Sequence, residues 1–208
     1  EDVLESILDL LCSSVGSLTN PSSITRTLNS RQKLSGENLV ANNTVKSYMN
    51  HLADAYLFSE CRRYDVKGRE YFDYPSKYYC EDIGLRNART GFRQQEMTHI
   101  MENIIHNDLA ARGCSIDVGV VYAREAGSAG RTVPKAVEID FIATSGSRKS
   151  YIQSAYAMPD QAKMEQEQRS LMLTGDGFKK VIITRDAPAP YYNDSGVLIM
   201  NIFDFMLN

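Results

Sequence analysis

The sequence predicts an α+β chain in two parts, a helical stretch closed by a hairpin over 1–75 and a mixed α/β layer over 76–208. Three observations carry this expectation: apolar stripes at helical spacing in the first third, a turn-forming stretch between two strand-like runs, and period-two strands interleaved with helices further on. Composition agrees with it. The 208 residues are 43% hydrophobic and 24% charged, which excludes a disordered or fibrous chain. At this length roughly 70% of the unfolded surface can be buried, so a core forms without disulfide staples.

The elements follow in order. Val3, Ile7, Leu8, Leu11 and Val15 make one stripe over residues 2–15, and Gly16 ends that helix. Asn20-Pro21 is an N-cap with proline in the first turn, opening a second helix that carries Ile24 and Leu28. A third runs from Thr44 to Ala55, with Val45, Met49, Leu52 and Ala53 on one face. The runs Leu57 to Tyr64 and Glu70 to Tyr74 flank Asp65-Val66-Lys67-Gly68-Arg69, which reads as a hairpin. Three helices and a hairpin are the plan of a winged helix-turn-helix.

The second part opens on a loop holding Lys77-Tyr78-Tyr79 and Asp82 to Ala88, in which Gly84 is expected at a turn or close packing point. A long helix from about Arg93 to Arg112 carries Met97, Ile100, Met101, Ile104, Ile105 and Leu109 and stops at Gly113. Strands are expected over 116–122, 137–143 and 150–157, with turns at 125–131 and 145–149. A helix over 159–173, a buried strand over 180–184, a last strand over 197–200 and a short helical tail complete an α/β layer with a crossover.

Charge and cysteines narrow the function classes. The net charge is −3 without a block of one sign, so the whole chain does not demand nucleic acid. Cys12, Cys61, Cys80 and Cys114 show no CxxC spacing, which argues against a structural zinc and for a reducing, cytoplasmic setting. No apolar run approaches the roughly 20 residues of a membrane span, so no membrane partner is expected. Starting at Glu1 inside a helical pattern, the chain reads as part of a longer protein.

Lys77-Tyr78-Tyr79, Asp82-Ile83-Gly84-Leu85-Arg86-Asn87-Ala88, Glu102-Asn103, Leu109 to Gly113, Glu138-Ile139-Asp140-Phe141 and Tyr151-Ile152-Gln153 occur in that order. This ordered set resembles the carboxy-terminal part of bacterial and archaeal AAA-type ATPases, in which a motor is followed by a winged helix and a PD-(D/E)XK nuclease-like domain. The resemblance spans nearly the whole chain. It implies a restriction-endonuclease-like mixed sheet flanked by helices over 76–208, and a motor using ATP and Mg²⁺ that precedes Glu1. No Gly-Lys pair occurs in the chain, so the phosphate-cradling GK[ST] loop of such a motor is not encoded here.

The resemblance also implies a site. A PD-(D/E)XK nuclease holds Mg²⁺ on a helix Glu and strand carboxylates, with a lysine that orients the attacking water. Glu102 stands at the helix acid and Asp140 at the strand acid, but the third position is Gln153-Ser154-Ala155, without carboxylate or amine. The expectation is a degenerate nuclease site at Glu102, Asp140 and Gln153, with no metal and no cofactor in this part of the protein; Lys163 on the next helix is the candidate for a relocated amine should hydrolysis be retained. The plain alternative for Glu102 is a helix-border residue or an ion-pair partner, and for Asp140 a hydrogen-bond acceptor. His99, Glu102 and His106 at i, i+3 and i+7 match no established zinc spacing, and the histidines read as ordinary surface residues. Tyr78-Tyr79 and Tyr191-Tyr192 read as base-stacking pairs or as loop anchors.

On the third helix Asn43, Thr44, Lys46, Ser47, Asn50 and His51 are expected to face outward, as a recognition helix requires. Residues 1–75 hold 8 Lys and Arg against 10 Asp and Glu. Phosphate binding by this acidic segment therefore requires Lys46, Arg62, Arg63, Lys67 and Arg69 to cluster. The functional expectation is a partner-binding part of an AAA-type ATPase, recognising DNA or protein or self-associating. An active Mg²⁺ nuclease and a purely structural oligomerisation module are the alternatives.

Overall fold

The computed structural model describes residues 3–35, 38–93, 96–126 and 132–207. Among these the chain is α+β, with seven helices and a large mixed sheet. It forms two compact units that interleave along the sequence: residues 1–62 with 73–103, and residues 63–72 with 104–208. The sequence reading drew one boundary, at residue 75.

The first unit contains α1 (Val3–Ser13), β1 (Leu18–Thr19), α2 (Pro21–Ser35), α3 (Asn42–Asp54), β2 (Phe58–Cys61), β5 (Ser76–Cys80), α4 (Ile83–Arg89) and the start of α5 (Met97–Ala111). The expected stripes are the buried ones: Ile7, Leu11 and Val15, then Ile24 and Leu28, then Val45, Met49 and Leu52. Asn20 caps α2, its Oδ1 accepting from the Ser23 N–H at 2.7 Å. Two findings differ from expectation. Lys77-Tyr78-Tyr79 is strand and not loop: β5 lies between β1 and β2 in a three-stranded antiparallel sheet. Gly84 is inside α4, where an added Cβ meets only the Asp82 Oδ1, at 3.0 Å. That carboxylate is the N-cap of α4 and accepts from the Leu85 N–H at 3.0 Å. An Asp N-cap contributes about 1 kcal/mol, and the buried Arg86, whose Nε donates to the Cys12 carbonyl at 3.1 Å, anchors this short helix without an apolar stripe.

The second unit is built on an eight-stranded sheet in the order β10-β11-β9-β8-β7-β6-β3-β4. Its strands are β3 (Arg63–Asp65), β4 (Glu70–Tyr71), β6 (Ser115–Ala126), β7 (Thr132–Ser145), β8 (Arg148–Ala155), β9 (Lys179–Thr184), β10 (Tyr191–Tyr192) and β11 (Leu198–Asn201). The expected hairpin around Asp65–Arg69 is present. Asp65 Oδ1 accepts from the N–H groups of Lys67 and Gly68, closing the turn. Its strands, however, extend this sheet by parallel pairing of β3 with β6. The run Leu57 to Tyr64 is thus two strands in two sheets, broken at Arg62.

Helix α6 (Gln161–Met172) makes the crossover from β8 to the parallel β9 and packs on β7, β8 and β9. The tail helix α7 (Ile202–Leu207) packs on β9 and β11. Ile139, Ile142, Tyr151, Leu171, Ile182 and Ile199 belong to the buried core of this unit. Helix α5 ends as expected at Gly113, with φ +74° and the Cys114 N–H reaching back to the Leu109 carbonyl. The expected glycine-rich turn lies outside the described residues from 127 to 131, and so do residues 94 and 95 near the expected start of α5.

Candidate functional site

Asp140 and Gln153 are neighbours on adjacent strands of the second unit. Phe141 of β7 pairs with Ile152 of β8, so Asp140 and Gln153 are the next residues along the two strands. Between Ile139 and Ile142, β7 makes three steps while β6 makes two, from Asp117 to Gly119, which is a bulge. Asp140 stands in that bulge, 8% exposed, and its Oδ2 accepts from the Ser154 N–H at 2.9 Å.

Gln153 faces α6. The Ser170 hydroxyl donates to its Oε1 at 3.4 Å, and the amide lines a cleft of about 360 Å³ with Glu138 and Glu167. At the rim, Glu125 pairs with Lys135 and Arg169, each at 3.1 Å. The Lys135 hydrogen bond, with Arg169 adding to it, holds the Glu125 carboxyl below the usual carboxylate range. Lys163, the candidate relocated amine, has its ammonium 2.5 Å from Glu167 Oε1. Its N–H is used by the Asp160 N-cap of α6.

Glu102 belongs to the first unit, on the opening turns of α5. Its Oε1 accepts from the Lys77 ammonium at 2.8 Å and from the Tyr79 hydroxyl at 2.6 Å. The Lys77 and Glu102 side chains are only 5% and 7% exposed. His99 Nδ1 lies 3.9 Å from the other carboxylate oxygen. Above them Gly16, at φ +72°, brings the backbone so close that a Cβ would meet His99 Nδ1 at 3.0 Å, which is why the α1 terminus needs a glycine there. Glu102 is thus an ion-pair partner in a buried cluster. Lys77 and Tyr79 are the members that sequence reasoning placed in a loop: Ser-Lys-Tyr-Tyr-Cys has no apolar alternation, although all five residues are buried.

One Glu102 oxygen is held by an ammonium and a phenol, one Asp140 oxygen by an amide N–H, and Gln153 is neutral. Among the described residues no three His, Cys, Asp or Glu side chains are placed to hold a metal ion. His106, expected at the surface, is buried at 3% exposure; its Nδ1 lies 3.2 Å from Asn107 Oδ1, with its ring 6.3 Å from that of Phe141.

Helix α3 separates its residues cleanly. Val45, Met49 and Leu52 are buried, while Asn43, Thr44, Lys46, Ser47, Asn50 and His51 are exposed. The Lys46 ammonium stands 5.8 Å from the Tyr74 ring centre. Of the other cations expected to join it, Arg62 is exposed in the first unit, whereas Arg63, Lys67 and Arg69 belong to the second. The Arg63 guanidinium lies over the Phe72 ring at 4.9 Å. Tyr78 and Tyr79 are buried at 5% and 0%, which removes them as base-stacking residues; Tyr191 and Tyr192 are exposed on β10.

Residues 1–96 are similar to a domain of unknown function, DUF8612. An uncharacterized protein of Haemophilus influenzae (strain ATCC 51907 / DSM 11121 / KW20 / Rd) is 30% identical over 208 residues, covering 99% of this chain and 46% of the relative. The chain therefore spans about half the length of the curated relative it matches. Among the described residues no helix is long and apolar enough to cross a membrane.

Proposed function

We propose that this chain is the partner-binding part of a larger AAA-type ATPase, with duplex DNA as the partner recognised by α3 of a winged helix in the first unit. The observation that carries the reading is the two-faced α3, whose outer face offers Thr44, Lys46, Ser47 and Asn50 without a carboxylate among them. Helix side chains of this kind reach base edges and phosphates in a major groove. In this reading the second unit is a nuclease-like fold without hydrolysis. Asp140 and Gln153 hold strand and helix positions through Ser154 and Ser170 and supply no metal-bound water. Binding energy gathered here would be passed to the motor in the rest of the protein, a role consistent with a relative about twice as long.

The test is a mobility shift of a mixed-sequence duplex at low salt. Lys46→Gln with Asn50→Ala is expected to weaken binding at least tenfold, with an unchanged thermal midpoint. A duplex that binds the double variant as well as the parent chain would sink the assignment of α3. Binding of a protein partner or self-association through this face, without any duplex binding, would support the structural alternative.

A further inference from the structure

One end of the large sheet gathers aromatic rings around a single lysine. The Lys149 ammonium lies 5.8 Å from the Tyr64 ring centre, 5.0 Å from that of Tyr151 and 5.4 Å from that of Phe178. Tyr71 continues the group, its ring 5.0 Å from Tyr64, and Tyr151 and Phe178 meet edge to face at 6.3 Å. The topology brings them together: Tyr64 and Tyr71 are paired on β3 and β4, Lys149 opposes Thr144 where β7 turns into β8, and Phe178 precedes β9, whose Lys179 pairs with Ser150.

Two of the rings are open to solvent, Tyr71 at 48% and Phe178 at 44%. The carboxylates of the group are occupied from within. Asp117 accepts the Tyr71 hydroxyl at 3.1 Å, and Asp176 accepts the Tyr151 hydroxyl at 2.6 Å. Arg148 and Lys179, both exposed, extend the positive charge along the strand ends. This end of the unit thus sets three basic side chains, Arg148, Lys149 and Lys179, beside two exposed rings, with Asp117 and Asp176 each engaged by a tyrosine hydroxyl.

We propose that this face binds single-stranded nucleic acid, with bases stacked on Tyr71 and Phe178 and phosphates held by Lys149, Arg148 and Lys179. Rings offer π-faces to any base, but in a duplex those faces are already covered by neighbouring bases, so the fit is to an unpaired strand. The lysine on the rings serves both partners, because its ammonium is oriented by the π-faces and left as a phosphate contact. The proposal deepens the nucleic-acid reading above but stands on different residues and a different unit.

The experiment is fluorescence anisotropy of a labelled oligothymidylate and of a labelled duplex on the full chain, over a range of salt. The oligothymidylate is expected to bind at low salt. Tyr71→Ala and Phe178→Ala should each weaken it roughly tenfold, while Tyr71→Phe, which keeps the ring, should not. Lys149→Gln should flatten the salt dependence. Lys46→Gln in α3 should leave the single strand unaffected; loss of duplex binding alone then touches the α3 reading and not this one. The proposal is overturned if the parent chain does not bind oligothymidylate, or if both alanine variants bind it as the parent does with thermal midpoints unchanged. It is equally overturned if oligothymidylate is ignored while a protein partner is lost with the ring substitutions.

Discussion

At the scale of single residues the buried pair Lys77–Glu102 has the greatest energetic weight. Removing one partner of a buried ion pair leaves an uncompensated charge and costs about 3–5 kcal/mol, whereas replacing both by apolar groups of similar volume is often neutral. Lys77→Met alone is therefore expected to lower the denaturation midpoint sharply, and Lys77→Met with Glu102→Leu to recover part of the loss. Equal loss in the single and double variants, measured by urea unfolding, would contradict that account. Tyr151 makes a second prediction. Burial, with the hydrogen bond to Asp176 adding to it, pushes its phenol above the ordinary tyrosine value of about 10. The unfolded chain then ionises first, so this contribution to stability is complete below that pH and is lost as pH rises through and beyond it. Urea midpoints between pH 8 and about 11 should fall more steeply for the parent than for Tyr151→Phe.

At the scale of elements, the bulge in β7 is the feature with the tightest steric requirement. Gly119 of β6 faces it, and a Cβ there would lie 2.9 Å from Ile139 Cβ and 3.2 Å from Ile142 Cγ1. The Ile139 Cβ is fixed by its own backbone and cannot swing away. Gly119→Ala is expected to cost on the order of 1–3 kcal/mol, as overpacking of a core does, and to disturb the Asp140–Ser154 hydrogen bond. The check is a thermal melt together with amide exchange at Ser154. An unchanged melt would mean that the strands can separate locally at no cost. The same bulge explains a limit of sequence reading. Alternation identified the strand around Asp140 correctly, but strict period two assigns Ile139 and Ile142 to opposite faces, and both are in the core.

At the scale of the whole molecule, chain order and structural order diverge. A polypeptide of residues 1–75 lacks β5, the middle strand of the first unit's sheet, and its β3–β4 hairpin lacks the β6 partner. It should show no cooperative unfolding by near-ultraviolet dichroism or amide-proton dispersion; a cooperative transition would show that β5 is dispensable. The chemistry can be tested on the intact chain. Mg²⁺-dependent nicking of supercoiled DNA is expected to be no greater for the parent than for Asp140→Ala. Nicking that disappears in that variant would show hydrolysis, and Lys163 would become the leading candidate for the amine.

Local signals were enough for the elements that bury a stripe or alternate: α1, α2, α3, α5, the hairpin turn and the strands around Asp140, Gln153 and Ile182. Local chemistry also shows that Gln153 and Ala155, after Tyr151-Ile152, carry neither a carboxylate nor an amine. What only the tertiary structure decided is where buried polar groups find partners. Lys77 and Tyr79 look like a polar loop until Glu102 supplies an acceptor from 23–25 residues away, and Arg86 of α4 looks like a surface cation until the Cys12 carbonyl, 74 residues away, accepts from its Nε. The ring group at Lys149 is assembled from β3, β4, β8 and the start of β9, segments more than 100 residues apart at their extremes. A partner that distant leaves no periodicity in the sequence, because hydrogen bonds and cation–π contacts are set by strand pairing rather than by neighbours along the chain.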